Sequence, residues 1–144
     1  MRHAAIVGLG WWGRTIVDRM KDSERLKIVA AVEVNPEPHR EFAATHGLTL
    51  HEEYAAVLAD PDIDTVILCT PNGMHTRQVA EAATAGKHVF CEKPLSLTRA
   101  EAEQSVTVCR EAGVVLGIGH ERRFELAMLE VQRLVREGEL GTIM

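Results

Sequence analysis

A glycine-rich segment near the amino terminus has the spacing of a phosphate-binding turn. Gly8, Gly10 and Gly13 form the pattern G-x-G-x-x-G between an apolar run at 4–7 and a stretch of helical periodicity. Gly8 allows a sharp turn out of a strand, Gly10 a close approach of backbone to a pyrophosphate, and Gly13 tight helix packing. Backbone N–H groups and the positive end of the helix dipole would face the phosphates. The segment therefore predicts a dinucleotide site.

Two tryptophans, Trp11 and Trp12, fill the variable positions of this glycine loop. We expect Trp12 to pack beneath the following helix and Trp11 to lie over the cofactor. We predict that both tryptophans contact the cofactor, together with Gly8, Gly10 and Gly13.

An acidic residue, Glu33, follows the last glycine by twenty positions, at the predicted end of the second strand. A carboxylate there accepts hydrogen bonds from the ribose hydroxyls of NAD and repels the 2′-phosphate of NADP. We therefore expect NAD, with NADP as the alternative if His39 and Arg40 reach a phosphate. The other interpretation of Glu33 is a solvated acid at a strand end.

Polar residues also follow the predicted fourth strand, in the segment from Thr70 to His75. Ligands of open α/β sheets bind beyond the carboxyl ends of strands, close to the point where the strand order reverses. Thr70 and Asn72 are therefore candidates for contact with ribose or nicotinamide, and a plain Pro-Asn-Gly turn is the alternative. His75 is counted as a cofactor contact, although capping or local hydrogen bonding at a helix start is favoured over catalysis.

The elements that must position these residues alternate regularly between strand and helix. Continuous apolar runs indicate strands buried on both faces, as in a parallel sheet covered by helices. We predict an α/β fold, a doubly wound and mostly parallel sheet in the order 3-2-1-4-5-6 with helices on both faces. Gly47, Gly86, Gly113 and Gly138 are predicted to end helices. The predicted strands are 4–7, 27–33, 48–50, 65–70, 88–91 and 114–119, and the predicted helices are 12–21, 38–46, 53–59, 75–85, 99–112 and 125–137.

Composition narrows the classes of function. The 144 residues suit one domain, and a net charge of −5 without a basic run disfavours nucleic acid and membrane surfaces as partners. No apolar stretch approaches a membrane span and no signal peptide is evident, so we expect a cytoplasmic protein. Cys69, Cys91 and Cys109 form no C-x-x-C pair, which favours buried free thiols over a metal site or a disulfide.

Three ordered motifs carry a family resemblance. The glycine loop, Thr70-Pro71-Asn72 with His75, and the run from Lys87 to Leu95 containing Glu92-Lys93-Pro94 resemble the glucose-fructose oxidoreductase / inositol dehydrogenase / MocA family. The similarity covers the amino-terminal half of that family and essentially the whole of this chain. It continues through 120–124 and into 137–143.

This resemblance implies a Rossmann domain of an NAD(P)-dependent oxidoreductase. Such enzymes transfer hydride between a nicotinamide and a secondary alcohol, often of a sugar or cyclitol. It implies that Lys93 is the catalytic lysine, that Glu92 and Lys93 also contact the cofactor, and that Pro94 follows a cis bond. Lys93 would position the substrate oxygen and stabilise negative charge that develops on it.

The resemblance also implies a second α/β domain that binds substrate, supplies a catalytic Asp and His and forms dimers. We expect residues 1–144 to be the NAD(P)-binding domain, with a strand beginning at Thr142, and the chain to be a fragment or a split gene product. A homo-oligomer is therefore a possible state. The alternatives are a free-standing NAD-binding module or redox sensor, and a nucleotide- or CoA-binding domain without redox chemistry.

Overall fold

A single six-stranded sheet organises the computed structural model, which describes residues 1–142. Every adjacent pair of strands is parallel, and the order β3-β2-β1-β4-β5-β6 confirms the predicted one. The strand order reverses between β1 and β4, so the loops after these two strands flank the switch point. The strands are β1 Arg2–Val7, β2 Leu26–Val32, β3 Thr49–His51, β4 Thr65–Leu68, β5 His88–Cys91 and β6 Leu116–Ile118.

Helices cover both faces of this sheet, as the continuous apolar runs predict. Ala4 and Ile6 of β1 pack on one face with Val17 and Ala43, which belong to the first two helices. The alternate residues of β1, Ala5 and Val7, pack on the other face with residues of the third, fourth and fifth helices. The helices are α1 Trp11–Met20, α2 Arg40–Thr45, α3 Tyr54–Ala59, α4 His75–Thr84, α5 Arg99–Glu111 and α6 Leu126–Arg136.

The largest difference from the predicted elements lies before α2. The prediction of one helix over 38–46 is wrong in its first turn, because a separate 3-10 turn spans Glu37–His39 and α2 begins at Arg40. Pro36 and Pro38 lack the N–H groups that a continuous helix would need. The strands β4 and β6 are also shorter than predicted, so Cys69 and Thr70 belong to the loop beyond β4.

The predicted helix ends are confirmed at four glycines. Gly47, Gly86, Gly113 and Gly138 each have φ between 63° and 74°, in the left-handed region that glycine tolerates.

Helix α6 stands apart from the core, since none of its residues is buried. Leu126, Met128, Leu129, Val131 and Val135 are all exposed. The strand expected to begin at Thr142 is not tested, because Thr142 is the last described residue and the positions after it lie outside the described residues. Within residues 1–142, no helix combines the length and the apolar character that crossing a membrane requires.

Candidate functional site

The strand register aligns the ends of the central strands at one edge of the sheet. Val32, Val7, Leu68, Cys91 and Ile118 lie side by side, each paired with its neighbour. His51 of β3 pairs with Val32 and extends the row. The residues that come next along the chain therefore meet at the carboxyl edge of the sheet. These residues are Glu52, Glu33, Gly8, Cys69, Glu92 and Gly119.

The three glycines of the loop have three different surroundings. Gly8 has φ +99°, and a Cβ atom built on it would lie 2.8 Å from the carbonyl oxygen of Cys69. A Cβ atom on Gly13 would overlap the carbonyl oxygen of Gly8, so α1 packs against the loop only without a side chain there. A Cβ atom on Gly10 would meet no atom within 4 Å. Gly10 thus keeps its outward side open, as close approach by a ligand requires.

The amino terminus of α1 is left available for an anion. The helix has no side-chain cap and no acidic residue in its first turn, and its first backbone hydrogen bond runs from Arg14 N–H to Gly10 C=O. The N–H groups of the first turn and the helix dipole therefore face outward at the glycine loop.

The two tryptophans differ in exposure. Trp11 is 79% exposed beside the loop, and its ring centroid lies 5.4 Å from that of Trp12. Trp12 is half-buried, and its Nε1 is the one buried side-chain nitrogen or oxygen without a hydrogen-bond partner among residues 1–142. Buried donors are nearly always satisfied, so this indole N–H is an exception to the usual pattern. Neither ring lies in the cleft described next.

A cleft of about 850 Å³ opens beside the glycine loop, between the ends of β1, β2 and β4 and the helices α3 and α4. It brings together four of the residues selected from sequence: Gly8, Gly10, Glu33 and Thr70. Its other polar walls come from residues that the sequence did not single out: Glu52, Glu53, Tyr54, Arg77, Gln78 and Glu81. The cleft is thus lined by four carboxylates and one guanidinium, and Arg77 already pairs with Glu81 at 3.5 Å.

Glu33 holds the glycine loop directly, because its carboxylate accepts a hydrogen bond from the N–H of Leu9. Arg40, the residue considered as a phosphate ligand, instead forms a 2.6 Å ion pair with Glu37. His39 Nδ1 lies 3.0 Å from the guanidinium of Arg14, which also donates to the carbonyl of Pro38. Neither His39 nor Arg40 lines the cleft.

Side chains of the cleft wall are joined by hydrogen bonds. The Thr70 hydroxyl donates to Gln78 Oε1 at 2.5 Å, and the Tyr54 hydroxyl donates to the Gln78 carbonyl at 3.0 Å. Gln78 is 2% exposed, so that small surface is all it offers to the cleft. Burial raises the pKa of Tyr54, with a further contribution from the Glu81 carboxylate, so Tyr54 remains a neutral donor.

His75 and Asn72 lie outside this cleft. His75 is 1% exposed, and its ring nitrogens lie 2.9 Å from the carbonyl oxygens of Pro94 and Thr70, which is the local hydrogen bonding that the sequence favoured. Asn72 is exposed and begins a 3-10 turn closed by Met74 N–H and Pro71 C=O. Contact of either residue with a cofactor stays a prediction.

The motif after β5 places one side chain inward and one outward. Glu92 is 8% exposed, and its Oε2 accepts a 3.2 Å hydrogen bond from Lys93 N–H. A Cβ atom on Gly119 would lie 2.5 Å from Glu92 Oε1, so this glycine makes the room for the carboxylate. Lys93 is exposed and forms no ion pair with a residue of the described chain. The Lys93–Pro94 bond is cis, as expected.

The three thiols of the chain lie in environments that favour the protonated form. Cys91 and Cys109 are buried and Cys69 is partly buried, all as free thiols. Burial, and next the Glu92 carboxylate, raises the pKa of both Cys69 and Cys91 to about 12. A protonated thiol is a poor nucleophile. Over residues 1–142, no group of three or more His, Cys, Asp and Glu side chains is arranged to hold a metal ion.

Known proteins share both the sequence and the fold. The GFO_IDH_MocA model, "Oxidoreductase family, NAD-binding Rossmann fold", matches residues 2–120. Myo-inositol 2-dehydrogenase of Thermotoga maritima is 30% identical over 137 residues, which are 94% of this chain and 41% of that protein. The chain spans about two fifths of the length of the curated relatives it matches.

Solved structures of similar proteins have the same fold as this chain. Scyllo-inositol dehydrogenase from Lactobacillus casei, with bound NAD(H) and scyllo-inositol, matches with a TM-score of 0.91 and 29% identity over 99% of this chain and 43% of that one. KijD10, a 3-ketoreductase from Actinomadura kijaniata in complex with TDP-benzene and NADP, matches with a TM-score of 0.89 and 25% identity over 95% of this chain and 44% of that one. Similar proteins therefore include an NAD(H) complex and an NADP complex.

Proposed function

Since this chain belongs to the GFO_IDH_MocA family of oxidoreductases with an NAD-binding Rossmann fold, we propose that it binds NAD for hydride transfer on a secondary alcohol of a sugar or cyclitol. The observation that carries the proposal is the shared edge of the sheet, where the register brings Glu33, Gly8 and Glu92 into one row. Support for the substrate class comes from the two inositol dehydrogenases that the chain resembles.

The glycine loop is the proposed pyrophosphate site. Gly10 leaves space for an anion, and the uncapped amino terminus of α1 offers N–H groups and a positive dipole end. The exposed ring of Trp11 offers an apolar face beside the loop, and contact of Trp12 with the cofactor is proposed from its place in the glycine loop alone. For these reasons we propose that the glycines of the loop, Trp11 and Trp12 contact the cofactor.

The choice of NAD over NADP is proposed from the charge of the cleft. Glu33, Glu52, Glu53 and Glu81 are acidic, and hydroxyl groups of a ribose donate well to carboxylates. A 2′-phosphate would bring two negative charges toward the same groups, while Arg77 is already paired with Glu81. Thr70 is proposed as a further hydrogen-bonding group in this cleft.

Lys93 is the proposed catalytic residue. The nicotinamide group supplies hydride exchange when it is bound. Lys93 stands exposed at the carboxyl edge with no anionic partner in the described chain, so its ammonium is available to a substrate oxygen. There it would orient the hydroxyl and stabilise negative charge as the proton leaves. Glu92 sets the direction of this turn through its hydrogen bond with the Lys93 N–H.

A fluorescence titration tests cofactor binding and choice together. NADH should quench the emission of Trp11 and Trp12 in a saturable way, and NADPH should bind at least about tenfold more weakly, a difference of about 1.4 kcal/mol. Glu33→Ala should weaken NADH by about tenfold or more, because hydrogen bonds to a charged group contribute about 1.5–3 kcal/mol. The same substitution should also reduce the difference in affinity between NADH and NADPH.

The matched control is Glu41→Ala, which removes an exposed carboxylate outside the cleft and leaves the ion pair of Arg40 with Glu37 in place. It should leave both affinities unchanged. Absence of saturable NADH binding would overturn the proposed site, and tighter binding of NADPH than NADH would overturn the role of Glu33.

A further inference from the structure

The imidazole of His75 is buried between two loops that both carry proposed site residues. Its Nε2 lies 2.9 Å from the carbonyl oxygen of Thr70, in the loop after β4 that borders the cleft. Its Nδ1 lies 2.9 Å from the carbonyl oxygen of Pro94, the residue after Lys93. With 1% of its surface exposed, His75 has almost no surface to offer a ligand. Its contacts are with the protein backbone on both sides.

The loop that carries Lys93 has few other attachments. Residues 93–98 contain no helix or strand, and β5 ends at Cys91. The Lys93 N–H bonds to the adjacent Glu92, and Ser96 bonds to Thr98 two positions away. Within residues 1–142, the contact of His75 with Pro94 is the one hydrogen bond that ties 93–97 to a distant part of the chain. Removing it leaves the position of Lys93 to apolar packing and local bonds.

The same side chain connects this loop to the cleft wall. The Thr70 carbonyl faces His75, the Thr70 hydroxyl donates to Gln78, and Gln78 in turn accepts from Tyr54. The hydrogen-bonded series therefore runs from α3, through the first turns of α4, to the loop after β5. Both carbonyl oxygens can only accept, so a neutral ring donates its single N–H either from Nδ1 to Pro94 or from Nε2 to Thr70, and only an imidazolium donates to both.

We infer that His75 is a positioning residue, which holds the loop of Lys93 in a set place relative to the cofactor cleft. This inference rests on the proposed function, in which the ammonium group of Lys93 must be correctly placed next to a substrate oxygen. In this interpretation His75 does not touch the cofactor and acts only by holding the loop that carries Lys93. Positional errors of about 1 Å are costly in catalysis, since they can reduce a rate on the order of a hundredfold.

Lysine NMR tests this directly in the 144-residue chain. The sequence contains four lysines, Lys21, Lys27, Lys87 and Lys93, so ¹³C-dimethylation gives four lysine signals and one from the amino terminus. Lys93→Arg assigns the signal of Lys93. We expect His75→Leu to change the chemical shift or the linewidth of that signal, because the loop of Lys93 is then held less firmly, while the signals of Lys21 and Lys27 stay unchanged.

The matched control is Val79→Ala, which removes buried apolar volume from the same helix and leaves the hydrogen bonds of His75 with Thr70 and Pro94 in place. It should lower the melting temperature and leave the Lys93 signal in place. His75→Gln, which retains one donor, should give an intermediate shift and replaces His75→Leu if that variant does not fold. An unchanged Lys93 signal in the His75 variants, or an equal shift in Val79→Ala, overturns the inference.

NADH titration of the same samples separates this inference from the proposed function. If the wild-type chain binds no NADH, the proposed function fails, while the Lys93 signals still decide whether His75 positions the loop. If NADH binds and the Lys93 signal is the same in the wild type and the His75 variants, the proposed function stands and the positioning role of His75 fails.

Discussion

Carboxylates at the carboxyl edge have different partners, and these partners separate their roles. Glu33 accepts from the loop N–H of Leu9 and lines the cleft, whereas Glu92 is 8% exposed and accepts from the N–H of Lys93. One carboxylate therefore faces the space proposed for a ribose, and the other supports a backbone turn. A fold that binds an anionic dinucleotide in an acidic cleft depends on the helix amino terminus for its positive potential.

The buried thiol of Cys91 predicts a pH dependence of stability. Burial raises its pKa from 9.0 to about 12, so the folded chain keeps the proton while the unfolded chain releases it above pH 9. The stabilisation is complete below pH 9 and is lost as the pH rises toward 12. One proton corresponds to a slope of up to about 1.4 kcal/mol per pH unit.

Urea unfolding between pH 8 and 10.5 measures this slope. The free energy of unfolding should fall less steeply with pH in Cys91→Ala than in the wild type. Ser105→Ala is the control, because Ser105 is equally buried but does not titrate in this range. Parallel curves for the wild type and Cys91→Ala would contradict the predicted shift.

The strand-turn-helix unit formed by β1, the glycine loop and α1 assigns different duties to its glycines. Gly13 is needed for packing, since a Cβ atom there would overlap the carbonyl oxygen of Gly8. Gly10 has φ −61° and open space around the position of a Cβ atom, so the fold alone would accept alanine. Stability and binding should therefore separate between the two positions.

We expect Gly13→Ala to destabilise the domain by about 3 kcal/mol or more, at the upper end of the cost of overpacking. Gly10→Ala should change stability by less than about 1 kcal/mol and weaken NADH by at least about tenfold. Urea unfolding and NADH titration of both variants measure these effects. A Gly10→Ala variant that binds NADH normally would show that no ligand approaches this backbone.

Much of this element pattern was predictable from local sequence. Apolar runs buried on both faces and glycines at helix ends act over a few residues, and all six strands and six helices appear near their predicted positions. The start of α2 was not predicted, because Pro36 and Pro38 permit a 3-10 turn whose choice depends on packing. Local hydrophobic period cannot separate one bent segment from a continuous helix.

The molecule presents an uncovered side at its carboxyl-terminal end. Helix α6 buries none of its residues, and the chain spans about two fifths of the length of its curated relatives. Phe124, Leu126 and Leu140 are also exposed at this end. Lys93 likewise stands open at the sheet edge, where a substrate would need further walls. The proposed catalysis is therefore tested in a protein of the relatives' length.

In such a longer protein, Lys93→Ala should lower turnover by about a hundredfold or more, as expected when a group that stabilises charge at the reacting oxygen is lost. NADH affinity should change far less, because Lys93 lies outside the cleft that holds Glu33 and Thr70. Steady-state kinetics and NADH titration measure the two effects. The control is Lys27→Ala, because Lys27 lies at the amino-terminal end of β2, opposite the carboxyl edge of the sheet. Equal losses in both quantities would contradict a catalytic role.

The sequence by itself determined the order of the elements, the glycine turn and the candidate residues Glu33 and Thr70, whereas Lys93 was a candidate only through the family resemblance. The former depend on short-range rules of backbone geometry and hydrophobic period, which a linear chain displays directly. Only the tertiary structure decided which side chains meet across the sheet: that α4 supplies Arg77, Gln78 and Glu81 to the cleft, and that His75 turns inward to two carbonyls. Register and helix rotation set these contacts, and both arise from packing between segments that are distant along the chain.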